Sequence, residues 1–335
     1  MDAERVVVMW LVRFCHTPIA LLLFLIMPCQ AVGLEMAVTT WQSKGNTQWA
    51  HDATGLSNLL GNPTSRLSYE NVDSEIVEIS LSLPFKSESL RFAIGSGSIG
   101  SGLLIDDDYV SAAGAAYYGT TASGAQRISR THSDIRDSGL YYVNAEFYPE
   151  MFSLDIVSMP LQLYAGLQYW KEDYTARGVR QIECTDSTGP PIFCNPVGFN
   201  GYNNQTVISN KMSWTTLYVG AKTRLALSQA MSIDFMLNYS PFTYLSNEDT
   251  HHLRSDLHQD PSFSMTGFGQ AIDLQLDWRY RFQNQAELSI GYRYWDRKVT
   301  NADWYSYSNT GISAATLLDM HTTRKGLTLG LNMVF

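Results

Sequence analysis

The chain has 335 residues, 45% apolar and 12% aromatic but only 16% charged, against roughly 25% charged in an ordinary soluble domain. The 41 Phe, Trp and Tyr residues, spread along its length, exclude a disordered chain. A formal charge of -9 with no basic run speaks against nucleic acid as a partner.

Residues 1–33 read as a secretory signal peptide. Arg5 and Arg13 supply a positive start, a nine-residue apolar run occupies 19–27, and the small residues Ala31 and Gly33 mark cleavage near 31–33. A membrane anchor needs about 20 apolar residues, and this run is half that. Pro28 argues against a lipoprotein start at Cys29. Processing leaves residues 34–335 as one domain, still at -9, because Asp2 and Glu4 cancel Arg5 and Arg13.

Period-two alternation and turn residues predict ten strands in that domain, at 34–49, 65–84, 88–105, 137–155, 161–178, 206–226, 231–246, 265–282, 286–300 and 321–335. The last is the plainest, with Leu327, Leu329, Leu331, Met333 and Phe335 alternating with small or polar residues. Connections at 84–87, 157–160, 227–230 and 283–285 are short; those at 50–64, 106–136, 179–205, 247–264 and 301–320 are long. The pattern is that of an all-β, closed antiparallel transmembrane β-barrel in a bacterial outer membrane, with short periplasmic turns and long extracellular loops. Low charge and many aromatics then follow from a lipid-facing wall with aromatic girdles.

Two cysteines remain after processing, Cys184 and Cys194, flanking the turn-rich Gly189-Pro190-Pro191. In an oxidising compartment they are expected to form a disulfide in an extracellular loop, worth roughly 3 kcal/mol for a ring of this size.

Because the chain starts on the periplasmic side, odd-numbered strands end at the outer rim. The third ends in Asp106-Asp107-Asp108 and the seventh in Asn247-Glu248-Asp249-Thr250-His251, and in a ten-strand ring these two lie nearly opposite one another. Side chains at i and i+2 share a face, which pairs Asp106 with Asp108 and Asp249 with His251, and turns Asp107 and Thr250 away. A carboxylate beside an imidazole fixes its tautomer and equips it to take a proton from water. Two neighbouring carboxylates titrate as a unit. The plain alternative is a solvated acidic rim.

The same residues carry a family resemblance. Ser65-Arg66-Leu67-Ser68-Tyr69 resembles the Ser-x-Leu-x-Trp of the omptins, Ile105-Asp106-Asp107-Asp108-Tyr109 their Asp-x-Asp-aromatic motif, and Tyr174-Thr175-Ala176-Arg177-Gly178 their Phe-Thr-Ala-Arg-Gly. Tyr239-Ser240 and, nine residues on, Asp249-Thr250-His251 are similar to their Tyr-Ser and Asp-x-His. The resemblance implies a ten-stranded outer-membrane endopeptidase, with Asp106 and Asp108 as its aspartate pair and Asp249 with His251 as its Asp-His pair. The implied mechanism is direct attack of water on the peptide carbonyl, with no acyl-enzyme.

The specificity positions depart from that pattern. Where omptins place acids that bind basic side chains, this chain has Gln48 and Asn247, with Glu248 adjacent but expected to face the other way. A neutral amide lacks the Coulomb attraction that holds a guanidinium, so a substrate preference shifted away from dibasic sites is expected. The acid facing the residue after the cut corresponds to Arg127 or Ile128. Omptins also bind lipopolysaccharide phosphates; Lys171 falls at one such position, and Ser213 replaces an arginine.

Other signals are weaker. The glycine-rich 95–102 lacks the Lys-Ser/Thr of a phosphate loop and fits a barrel wall thinned by small residues. His251, His252, Asp256, His258 and Asp260 lack a fixed three-ligand spacing, so no metal is expected. No Ser-His pair shares a strand face. The alternative to a surface protease is a non-catalytic barrel, a narrow porin or an adhesin on the same frame.

Overall fold

The computed structural model describes residues 33–85, 87–120, 126–149, 160–185, 193–282 and 286–335. The expected signal peptide lies outside them, except for Gly33, as do most of the expected short turns at 157–160 and 283–285 and the Gly189-Pro190-Pro191 segment.

Among the described residues eleven strands run in chain order: β1 (Glu35–Asp52), β2 (Leu60–Phe85), β3 (Glu88–Val110), β4 (Gln126–Ile135), β5 (Ser138–Tyr148), β6 (Leu161–Cys184), β7 (Asn200–Ala226), β8 (Met231–His251), β9 (Phe263–Arg281), β10 (Ala286–Ser308) and β11 (Gly311–Val334). One short helix, α1 (Ala112–Tyr117), follows β3. Every pairing is antiparallel, and β1 closes the ring on β11. Between β3 and β6 one ring position is shared: β4 pairs with their outer halves and β5 with their inner halves. Eleven strands therefore fill ten positions.

The expected periplasmic turns agree with the structure where it describes them, but the outer ends do not. β4 lies inside the expected loop 106–136, and the expected loop 301–320 shrinks to a tight turn between the paired Ser308 and Gly311. Alternation of apolar and polar residues stops where lipid stops. The backbone ladder continues into water, with polar side chains on both faces, and leaves no hydrophobic period to read.

Outward-facing Phe92, Ile94, Val143, Leu167, Leu217, Val219, Leu276, Ile290 and Leu327 form the exposed apolar band of the inner half. Aromatic neighbours border it, with Trp278, Tyr280 and Phe282 at the periplasmic edge and Tyr141 with Tyr169, and Tyr244 with Phe268, at the other. Such girdles mark the two membrane interfaces.

The lumen is plugged at mid-height. There Trp41, Trp49, Tyr69, Tyr142, Trp170, Tyr174 and Trp214 are almost wholly buried, around an Arg324–Glu172 ion pair of 2.8 Å in which both side chains are 0% exposed. Beneath this floor a cavity of about 1050 Å³ reaches to Gly33 and Phe335 at the periplasmic end. Its walls carry matched charges, including Arg91 on Glu78 and Glu146, Arg293 on Glu78, and Arg279 on Asp234 and Glu287. Glycine is required at Gly95, where a Cβ would stand 2.3 Å from the Tyr142 ring. The small residues of 95–102 thus make room for the floor.

Candidate active site

The site sits above that floor, at the outer ends of β3 and β8. On β3, Leu104 belongs to the buried core, so Asp106 and Asp108 share its inward parity. Asp107 faces away and is clamped by Arg130 at 2.6 and 2.7 Å on the outer wall. Ser65, opposite Asp108 on β2, donates its Oγ proton to Asp106 Oδ1 at 3.4 Å.

On β8, Asn247, Asp249 and His251 take the inward parity and Glu248 is exposed. Asp249, 0% exposed, holds His251 Nε2 through Oδ2 at 2.8 Å. Its other oxygen, Oδ1, accepts from Asn210 Nδ2 at 3.2 Å and from the Tyr69 hydroxyl at 3.5 Å. The His251 backbone N–H donates to Ser262 Oγ at 3.0 Å, and the ring meets Phe263 edge-on at 5.0 Å. With Nε2 engaged, Nδ1 is the nitrogen left for a proton from water.

Electrostatics tie the two sides together. Burial and the neighbouring carboxylate charges push the pKa of both Asp106 and Asp108 upward, although the His251 charge works against that rise. Burial disfavours the His251 imidazolium, but the charge and hydrogen bond of Asp249, with Asp106 and Asp108 behind it, prevail and raise its pKa. A water between an imidazole with a free nitrogen and a carboxyl pair that retains a proton can be both deprotonated and oriented.

The specificity positions come out differently. Gln48 lies between inward-facing Thr47 and Trp49 and turns outward, so the structure does not bring it to the groove; Trp49 occupies the inward place. Asn247 does face inward, buried, its Nδ2 on Met265 Sδ at 3.3 Å. Arg127 turns to the outer wall, paired with Glu183 at 2.5 Å, and Ile128 is buried with Val110 and Ala115. Lys171 also stands on the outer wall, 3.5 Å from Asp173 and in register with Tyr141 and Ser213. Cys184 and Cys194 are disulfide-bonded at the outer end of β6. Among the described residues no group of three or more potential ligands could hold a metal ion.

Sequence reasoning missed Tyr69 and Asn210 as partners of Asp249, and it missed His51. His51 is 6% exposed and stacked on Trp304 with 4.1 Å between ring centroids. Burial, followed by the charge of His251, depresses its pKa to about 3, so it stays neutral. Asn210 carries no local signal, because only the β7–β8 register sets it opposite Asp249.

No family model matches the chain, and no curated protein does. Among solved structures it is similar to the outer membrane protease OmpT from Escherichia coli, with 14% identity over 92% of this chain and 99% of that one and a TM-score of 0.68. The translocator domain of the autotransporter NalP from Neisseria meningitidis aligns over the full length of both chains, at 8% identity and a TM-score of 0.34. The chain has the fold of a bacterial outer-membrane β-barrel.

Proposed function

We propose that this protein is a surface endopeptidase of the omptin kind, in which Asp249 and His251 activate a water held against Asp106 and Asp108. The observation that supports it most directly is the meeting, at the outer end of one lumen, of a buried carboxylate–imidazole pair and a carboxyl pair whose pKa values are both raised. His251 Nδ1 takes a proton as the water oxygen bonds to the scissile carbonyl carbon. The aspartate pair, sharing one proton, positions that water and donates a hydrogen bond to the developing oxyanion. Collapse breaks the C–N bond, and the imidazolium returns its proton to the leaving amine. No serine nucleophile or metal enters the sequence of steps.

A neutral amide at Asn247, and Trp49 rather than an acid facing inward on β1, remove the attraction for guanidinium. Cleavage therefore falls away from strict dibasic sites. Lys171, level with Tyr141 of the aromatic girdle, would meet a lipopolysaccharide phosphate; with Ser213 beside it in place of a second cation, any dependence on that lipid is weak.

The test is digestion of a peptide library by refolded protein with and without lipopolysaccharide. Cleavage that disappears in a folded, heat-modifiable His251→Ala variant supports the reading; undiminished cleavage by that variant refutes the assignment. A non-catalytic adhesin on the same frame predicts no cleaved peptide from the parent. A narrow porin predicts conductance in planar bilayers, which the aromatic floor opposes.

A further inference from the structure

Asp249 can orient His251 only if its own carboxylate is kept from turning. Apart from His251 itself, no β8 side chain among the described residues bonds that carboxylate, and the neighbouring inward Asn247 is engaged with Met265. The restraint comes from two other strands. Asn210, 1% exposed on β7 and directly opposite in register, donates to Oδ1 at 3.2 Å. Tyr69, 1% exposed on β2, donates to the same oxygen at 3.5 Å from 180 residues away.

Tyr69 is in turn fixed from below. Its ring stacks on Tyr174 at 4.7 Å with 22° between planes. The Tyr174 hydroxyl bonds Glu172, and Glu172 is locked to Arg324, which also donates to Ser74 at 2.7 Å. A buried column thus runs from the ion pair in the floor to the catalytic carboxylate.

We propose that Tyr69 and Asn210 are positioning residues that together hold Asp249 Oδ1, so that Oδ2 alone faces His251 Nε2 and Nδ1 points at the water. Neither touches the substrate. The inference rests on the peptidase reading for its purpose, but its geometry can be tested without turnover.

The measurement is an NMR pH titration of His251 in isotope-labelled, refolded protein. The parent is compared with Tyr69→Phe, Asn210→Ala and the double variant, each checked for heat-modifiable migration. Tyr69→Phe keeps the ring and its stack and removes only the hydroxyl, so folding is preserved in at least one arm. The groups facing His251 are Asp249 on its own strand, Asp106 and Asp108 on β3, His51 on β1, and Arg254 in the following loop, whose charge reaches Asp108. All remain in every variant.

With both donors gone the carboxylate is free to turn, burial dominates at His251, and its pKa falls by a unit or more; each single variant falls by less. An unchanged pKa in the folded double variant overturns the proposal. A rise overturns it too, because that outcome shows the donors competing for the charge of Asp249 rather than aiming it. Where the parent cleaves peptides, kcat should drop three- to tenfold in each single variant with KM retained. If the parent cleaves nothing while the His251 shift is seen, the peptidase reading fails and the positioning network stands.

Discussion

Below the tryptophan floor every carboxylate named above has a guanidinium against it: Glu78 has two, Glu146 one, and Asp234 and Glu287 share Arg279. Above the floor, Asp106 faces the charges of Asp108, Asp249 and Asp107, Asp108 faces that of Asp107, and Arg254, whose charge reaches Asp108, is itself bonded to Asp256 at 2.6 Å. Both clusters are largely out of water, but only the lower one is neutralised in place. Burial with pairing makes a rigid wall, whereas burial without pairing stores protons near neutral pH. Active sites characteristically have the second arrangement.

The comparison can be broken from either side. Removing His251, the proposed proton acceptor, should cost the most: His251→Ala should lower peptide cleavage by roughly three to four orders of magnitude, with the boiled and unboiled bands still separated on gels. A comparable loss should appear as stability in the paired region. Arg324→Met leaves Glu172 buried without its cation and should cost about 3–5 kcal/mol in a urea unfolding series, an effect His251→Ala should not show. Asp106→Ala or Asp108→Ala should reduce turnover by an amount equivalent to roughly 3–4 kcal/mol, if they support the developing charge.

A smaller effect concerns pH. The aspartate pair has a folded pKa above its unfolded value, so the folded state binds more protons and stability falls as pH rises through that range. His251 behaves alike, its stabilising contribution being present at low pH and lost as pH rises past its raised pKa. Asp106→Asn should therefore stabilise the barrel at neutral pH by the order of 1–2 kcal/mol while lowering turnover no more than Asp106→Ala does, readable as a raised unfolding midpoint at pH 7 that converges with the parent at pH 4. In turnover, the acid limb should lie above the ordinary histidine range, since His251 must be neutral to act. The least effect belongs to the outer wall, where Lys171→Ala should alter lipopolysaccharide stimulation only a few-fold.

The sequence by itself determined whatever repeats locally. Period-two alternation set the barrel and its inner turns, and i, i+2 spacing paired Asp106 with Asp108 and Asp249 with His251. Setting aside the two cysteines of the expected signal peptide left Cys184 with Cys194, which are bonded. Only the tertiary structure decided the rest. Gln48 and Trp49 are neighbours, and a one-residue change of parity exchanges lumen for outer wall, so the specificity position turned on which residue β1 points inward. The split of one ring position into β4 and β5 lies above the lipid boundary, where no hydrophobic period marks a strand. The hold on Asp249 joins Tyr69, Asn210 and Asp249 from three strands far apart in the chain. Such contacts depend on register and ring closure, which no short window of residues encodes.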